Sequence, residues 1–144
     1  MTDVAFHFNV PQRLPYLCRL LRKVQAAGLR AWVRVPPDEL TELDALLWTF
    51  SQEDFLAHAV VGDPTEARAP IVLSDGPMPP RDDLQVLVNG LPDVPAGFER
   101  HQRVIEIVGT SDDERALARQ RWRHYTQLGY TLARHDVASL GARA

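Results

Sequence analysis

The sequence contains few of the features that mark secreted or membrane proteins. It has one cysteine, Cys18, which excludes an intrachain disulfide framework and agrees with a reducing compartment. No run of residues approaches the roughly 18 consecutive apolar side chains of a membrane-spanning helix. The first residues, MTDVAFHFNV, lack the basic start and the apolar core of a secretory signal. We therefore expect a cytoplasmic protein that does not contact a membrane.

The sequence also lacks the short motifs that bind nucleotides, form nucleophilic active sites or hold metal ions. No G-x-G-x-x-G or G-x-x-x-x-G-K-[ST] motif follows a predicted strand, and G-x-S-x-G, H-E-x-x-H and C-x-x-C are absent. The five histidines are scattered, and none shares a helical face with a second ligand. We expect no catalytic residue, cofactor, metal ion or small-molecule substrate. An α/β enzyme is a weaker alternative, which would need a polar pocket at the carboxyl edge of the sheet.

Composition and charge are those of an ordinary soluble globular protein. The chain has 144 residues, of which 45% are apolar and 24% charged, enough for one domain whose core needs no disulfide or metal. The net charge of −3 argues against a general polyanion binder, so attraction for nucleic acid would have to come from a local patch. Lys23 is the only lysine among 16 basic residues, a bias that weakens any argument from one particular arginine.

Alternating and helical patterns predict an α/β fold. The predicted strands lie at residues 4–10, 29–35, 71–73, 84–89 and 103–108. Helices are predicted between strands, the first ending at Gly28 and the second starting at Pro37, so the order begins as a parallel βαβ unit. The prediction is a three-layer α/β/α, Rossmann-like domain with a mostly parallel sheet of about five strands. We predict a single domain at residues 1–144, whose last several residues could be disordered.

Residues 111–130 read as one helix with a defined start and a defined end. Ser111 precedes Glu114 by three residues, the capping-box spacing in which the serine oxygen accepts a free backbone N–H and the glutamate reaches back. Gly129 supplies the left-handed residue that ends many helices. Acidic residues at the helix start and arginines further along also suit the helix dipole.

This helix has two unlike faces. At about 100° per residue, an apolar stripe that should face the core holds Leu117, Ala118, Arg121, Tyr125 and Leu128. A cationic stripe, bordered by Trp122, holds Arg115, Arg119, Arg123 and Thr126. The ordinary explanation of the cationic stripe is a helix face exposed to solvent. Arginines beside a tryptophan also suit a partner with carboxylates and a large apolar side chain. Arg121 is expected to pair internally or to extend along its stem to solvent.

Five blocks of the sequence form a recognisable set. They are LDALLWTF at 43–50, FLAH at 55–58, VLVN at 86–89, RVIEIV at 103–108 and ARQRWRHYTQLGYTLARH at 118–135. The R-x-R-W-R-x-Y-x-x-x-G-Y pattern in the last block is the most specific. Together the blocks resemble the chi subunit family of bacterial DNA polymerase III over nearly the whole chain. Ala57 departs from the family, which usually has proline before the histidine.

The resemblance implies a non-catalytic accessory subunit of the clamp-loader assembly, acting in the replisome at the bacterial nucleoid. Members of the family bind the acidic C-terminal tail of single-stranded DNA-binding protein, and a second surface binds the psi subunit, which joins chi to the clamp loader. The tail-binding positions of the family correspond here to Arg115, Arg119, Trp122 and Arg123. The psi-facing positions correspond to Leu47, Trp48, Phe55 and His58. Contact with single-stranded DNA is then only indirect.

Two alternatives remain open from the sequence. Trp48 and Phe55 could be plain core residues, and His58 a structural histidine, rather than an exposed apolar patch that awaits a partner. The arginine helix could instead be a direct single-stranded nucleic-acid-binding module, with arginines on phosphates and Trp122 stacked on a base. One aromatic side chain and an acidic overall charge make this second alternative the weaker one.

Overall fold

The structure is a computed structural model, and it describes residues 2–49, 57–76 and 78–138. These ranges contain seven strands and three α-helices. The strands are β1 (Asp3–Phe8), β2 (Ala31–Arg34), β3 (Ala59–Val60), β4 (Ile71–Ser74), β5 (Val86–Asn89), β6 (Arg103–Ile107) and β7 (Leu132–Asp136). The helices are α1 (Arg13–Ala26), α2 (Pro37–Thr49) and α3 (Asp112–Gln127), with a short 3-10 helix at Phe98–Arg100.

The seven strands of the described ranges form one sheet in the order β3-β4-β2-β5-β6-β1-β7. Every neighbouring pair is parallel. In the register of β1, Val4 lies beside Val104 of β6 on one side and Leu132 of β7 on the other, so β7 forms one edge of the sheet. The predicted α/β class and parallel sheet are confirmed, whereas the predicted number of about five strands is too low.

Helices α1 and α2 cover one face of the sheet and α3 covers the other. Val33 of β2 packs in the core formed with α1 residues such as Leu17, while its neighbour Trp32 belongs to the opposite core, which contains Tyr125 of α3. This alternation follows from the period of two along a strand. Cys18 is a fully buried core residue, and burial raises the pKa of its thiol to about 11.

The sequence patterns miss strands β3 and β7, for different reasons. Strand β3 has only two residues, too few to show any period. Strand β7, with the sequence LARHD, exposes its three central residues because it lies at the sheet edge, and so it lacks the apolar alternation of a half-buried strand. Phe55 and the last several residues, 139–144, lie outside the described part of the chain.

Helix α3 begins and ends where the sequence predicts. The hydroxyl oxygen of Ser111 accepts the backbone N–H of Glu114 at 3.2 Å, and Gly129 follows the helix with a left-handed φ of 93°. The other half of the predicted capping box is wrong. The Glu114 carboxylate accepts the N–H of Gly109 instead of that of Ser111. A guanidinium nitrogen of Arg13 lies 3.5 Å from this carboxylate and attracts it toward the carboxyl edge of the sheet.

The buried face of α3 is narrower than the predicted apolar stripe. Ala118, Arg121 and Tyr125 are buried, but Leu117 is 38% exposed and Leu128 is 52% exposed. Leu117 borders a small cleft next to α1 and α2, and Leu128 is the C-cap residue beyond the last helical turn. The helix therefore contacts the sheet along one row of side chains, which leaves more of its surface available than the sequence indicates.

Candidate functional site

A groove of about 550 Å³ lies between α3 and the β1–β7 edge of the sheet. Its floor is apolar and is formed by Phe6, Phe8, Val108, Ala118 and Trp122. Its rim is polar and is formed by Asn9, Arg115, Arg119 and Arg134. The α3 members recur at spacings of three and four residues, which places them on one helical face, and the two phenylalanines alternate along β1 toward α3.

The three arginines of the rim differ in how far they are already engaged. Arg115 donates from Nη2 to the side-chain oxygen of Asn9 at 2.8 Å. The guanidinium carbon of Arg134 lies 4.9 Å from the ring centre of Phe8, a cation–π distance. Arg119 is exposed and makes no hydrogen bond or ion pair with any residue of the described ranges. All three guanidinium groups therefore keep donors that an anionic ligand can use.

The floor of the groove is a half-buried aromatic surface. The Trp122 indole packs against Phe6 with ring centroids 5.1 Å apart, and part of the indole remains accessible. An aromatic or large aliphatic side chain entering the groove would cover this surface. Apolar burial and guanidinium donors are thus available side by side, which suits a ligand that carries carboxylates next to an apolar group.

A buried polar network fixes the rotation of α3 about its axis. Glu106 of β6 is fully buried, and its carboxylate accepts from Arg121 Nε at 2.9 Å and from the Tyr125 hydroxyl at 2.7 Å. It also accepts from the side-chain amide of Asn89 at 2.8 Å. The internal pairing predicted for Arg121 is confirmed. Because Arg121 and Tyr125 are held against the sheet, Trp122 is turned toward the groove.

Burial and the charge of Arg121 act in opposite directions on the pKa of Glu106. Burial raises the pKa of the Glu106 carboxyl, and the Arg121 guanidinium and the hydrogen bonds oppose that rise. Burial and the charge of Glu106 also raise the pKa of Tyr125, so its hydroxyl remains a donor. Removing the guanidinium would leave the buried carboxylate without its counter-charge.

The structure brings together three of the four residues that the resemblance assigns to tail binding. Arg115, Arg119 and Trp122 all line the groove, whereas Arg123 is exposed on the same helix and does not line it. Arg134 lines the groove but is not found from the sequence. Only a correct assignment of residues 132–136 as a strand beside β1 could have located it.

The residues that the resemblance assigns to a second partner lie around the end of α2. Trp48 is 51% exposed, which contradicts the core-packing alternative, and its ring lies 4.3 Å from that of His58. The His58 imidazole is buried and lies 2.8 Å from an Asp44 carboxylate oxygen, as expected of a structural histidine. Leu47 is only 2% exposed and packs in the core, so it is placed beneath this surface and not on it. Phe55 lies outside the described residues.

The carboxyl edge of the sheet holds polar side chains that pair with one another. Arg13 lies 2.9 Å from the Glu39 carboxylate and 3.5 Å from that of Glu114, around a cleft of about 180 Å³. Within residues 2–49, 57–76 and 78–138, no group of three or more acidic, histidine or cysteine side chains is placed to hold a metal ion. No helix in those ranges is both long and apolar enough to cross a membrane.

Comparison with known proteins gives two agreeing matches. The sequence model of the family described as "DNA polymerase III chi subunit, HolC" matches residues 1–133. The DNA polymerase III subunit chi of Pseudomonas aeruginosa is 32% identical over an alignment of 142 residues, and the match covers 95% of this chain and 98% of that protein. The family match includes α3 and β1 and stops one residue before Arg134.

Proposed function

Because the chain belongs to the DNA polymerase III chi subunit family, we propose that its α3 groove binds the acidic C-terminal tail of single-stranded DNA-binding protein. One observation carries the proposal: Arg115, Arg119 and Arg134 surround an apolar floor in a single groove. In this role the protein is an accessory subunit that catalyses no reaction. It acts in the cytoplasm, at the nucleoid, and contacts single-stranded DNA only through the protein that coats it.

Each part of an acidic tail has a counterpart in the groove. The guanidinium groups offer paired N–H donors that match side-chain and terminal carboxylates. The Trp122 surface accepts a terminal aromatic side chain, whose burial contributes about 1.5–3 kcal/mol. Arg123 lies outside the groove, and we assign it a smaller part as a source of long-range attraction.

Titration of a fluorescently labelled acidic peptide that ends in phenylalanine tests this proposal. We expect saturable binding by fluorescence anisotropy. A matched peptide that ends in alanine should bind at least about ten-fold more weakly, because the apolar floor loses the side chain that covers it. Equal affinities for the two peptides would contradict the assignment of the floor.

The affinity for the phenylalanine-ended peptide should fall as salt is added. Raising NaCl from roughly 0.05 M to roughly 0.5 M is expected to weaken binding about ten-fold, because salt screens attraction between exposed opposite charges. The same titration repeated across salt concentrations measures this. A dissociation constant that does not change with salt would contradict the role of the arginines in binding the peptide.

An uncoated single-stranded oligonucleotide distinguishes this function from direct nucleic-acid binding. The groove offers one half-buried indole for base stacking, and the chain carries a net charge of −3, so we expect little retention in filter binding. Tight retention that disappears in Arg119→Ala would favour the nucleic-acid alternative over the acidic tail.

We also propose that the surface around Trp48 binds the psi subunit and so links this protein to the clamp loader. The exposed indole is supported by the His58 ring, and His58 is itself held by Asp44. A large apolar side chain fixed at the surface is typical of the centre of a protein interface. The core residue Leu47 supports α2 from beneath.

Replacement of Trp48 by alanine is expected to abolish co-purification with the psi subunit, since such anchors commonly contribute about 2 kcal/mol or more to binding. The affinity for the acidic peptide should stay within about two-fold, because separate interfaces without shared contacts behave independently. Loss of both activities would indicate that the substitution unfolds the protein, which a circular dichroism melt would detect.

A further inference from the structure

Asn9 stands at the mouth of the groove in an unusual backbone conformation. It follows the last residue of β1 with a φ of 60°, in the left-handed region, and it is the one non-glycine residue of the described ranges with a positive φ. Asparagine tolerates this region better than most residues, but adopting it still requires support from the surroundings.

The Asn9 side chain provides that support by joining the two sides of the groove. Its oxygen accepts from Arg115 Nη2 at 2.8 Å, which ties it to α3. Its amide nitrogen donates to Asp136 Oδ1 at 3.1 Å, which ties it to β7. Asp136 is two residues beyond Arg134, so both lie on the same face of β7. One carboxamide thus connects the helix that carries Arg115 with the strand that carries Arg134.

We infer that Asn9 is a positioning residue of the groove, which holds the Arg115 guanidinium in the orientation that receives a ligand carboxylate. This inference rests on the proposed function of the groove. An exposed arginine otherwise samples many rotamers, and binding must order it. The bond to Asn9 uses one of five guanidinium donors and leaves the others for the ligand.

The chemistry of the carboxamide explains why this position suits asparagine. An aspartate could also accept from Arg115, but its negative charge would offset that of the guanidinium and repel an acidic peptide. It would also face the carboxylate of Asp136 without a proton to donate. The neutral carboxamide positions the guanidinium and keeps its full charge available to the ligand.

Two single and two double variants test the inference by titration with the phenylalanine-ended acidic peptide. Asn9→Gly keeps the left-handed backbone and removes the side chain, and we expect about five-fold weaker binding. In the Arg115→Ala background the same change should alter affinity less than about two-fold, because the residue through which Asn9 acts is gone. In the Arg119→Ala background the loss should again be about five-fold. Asn9→Asp, the second single variant, should bind more weakly than Asn9→Gly.

A purely structural role for Asn9 would give the same loss in both arginine backgrounds, and that result overturns the inference. Unchanged affinity of Asn9→Gly, or Asn9→Asp binding as well as the parent protein, also overturns it while leaving the proposed function intact. Absence of any binding by the unsubstituted protein overturns the proposed function and the inference together. Circular dichroism melts of each variant show whether Asn9→Gly is folded. If it is not, Asn9→Asp still tests the inference through the charge that it adds beside Arg115.

Discussion

Replacing Arg119 with alanine is expected to weaken binding of the acidic tail peptide about 30-fold, a loss of about 2 kcal/mol in binding free energy. Arg115 already donates to Asn9, and Arg134 already lies against the Phe8 ring. Arg119 has no hydrogen bond or ion pair within the described ranges, so all its donors are available to the ligand. Isothermal titration calorimetry with the unlabelled peptide measures the loss directly.

Arg123→Ala is the matched control, because it removes the same charge from the same helix four residues further on. Arg123 is exposed and outside the groove, so its loss should change the dissociation constant less than about three-fold. Equal effects of the two substitutions would show that the total charge of α3, and not the groove, attracts the tail. Both variants should keep the parental melting temperature, since neither side chain is buried.

Local features of the fold were predictable because their causes lie close together in the sequence. Ser111 caps α3, and Gly129 adopts the left-handed conformation that ends it, as predicted. The contacts of Glu114 were not predictable: its carboxylate accepts the N–H of Gly109 and lies 3.5 Å from a guanidinium nitrogen of Arg13, about 100 residues away along the chain. The spacing of a capping box identifies its serine and glutamate, and it does not show which backbone N–H the glutamate accepts.

The sequence predicts the side of the groove that α3 forms, but not the side that β7 forms. Arg115, Arg119 and Trp122 share a helical face, so their spacing alone places them together. The opposite side of the groove depends on β7, an edge strand whose exposed residues show no alternation. Arg134 and Asn9 could therefore be assigned only after the parallel pairing of β1 with β7 was known.

The sequence correctly predicts which side of α3 faces the sheet, but it overestimates how many residues on that side are buried. Arg121 stood out because a charged residue falls among apolar ones, and its internal partner required the register of β6. Glu106 lies within the mostly apolar block RVIEIV, and nothing in that block indicates that its side chain is directed toward α3. This pair turns Trp122 toward the groove, so the stability of the core and the geometry of the site depend on the same contact.

Replacing Arg121 with alanine is expected to lower the free energy of unfolding by about 3–5 kcal/mol near neutral pH, because it leaves the buried carboxylate of Glu106 without its counter-charge. Tyr125 and Asn89 would still donate to Glu106, but neither carries a charge. Urea denaturation followed by far-ultraviolet circular dichroism measures the loss. A loss below about 1 kcal/mol would mean that the ion pair contributes little to the stability of α3.

The loss should depend on pH in a defined direction. Burial raises the pKa of Glu106 above its ordinary value, and removal of the guanidinium raises it further. The folded variant then binds a proton that the unfolded chain releases at its ordinary pKa of about 4.3. The contribution of Glu106 to the stability of the variant is therefore retained below that value and lost as pH rises from it through the raised folded pKa. Burial lowers the pKa of His7 and of His101 in parent and variant alike, so each stability is compared with that of the parent protein at the same pH. The loss caused by Arg121→Ala should then be larger at about pH 8 than at about pH 5.

A second substitution, Glu106→Gln, separates the charge from the packing. In the Arg121→Ala background it replaces a carboxyl group that can ionise by a neutral carboxamide of similar size, which can still accept from the Tyr125 hydroxyl. The double variant should recover about 1–3 kcal/mol of the loss, and its remaining loss relative to the parent protein should no longer grow between about pH 5 and about pH 8. A double variant as unstable and as pH-dependent as Arg121→Ala would place the titrating group elsewhere, because Glu106 would no longer be present to release a proton.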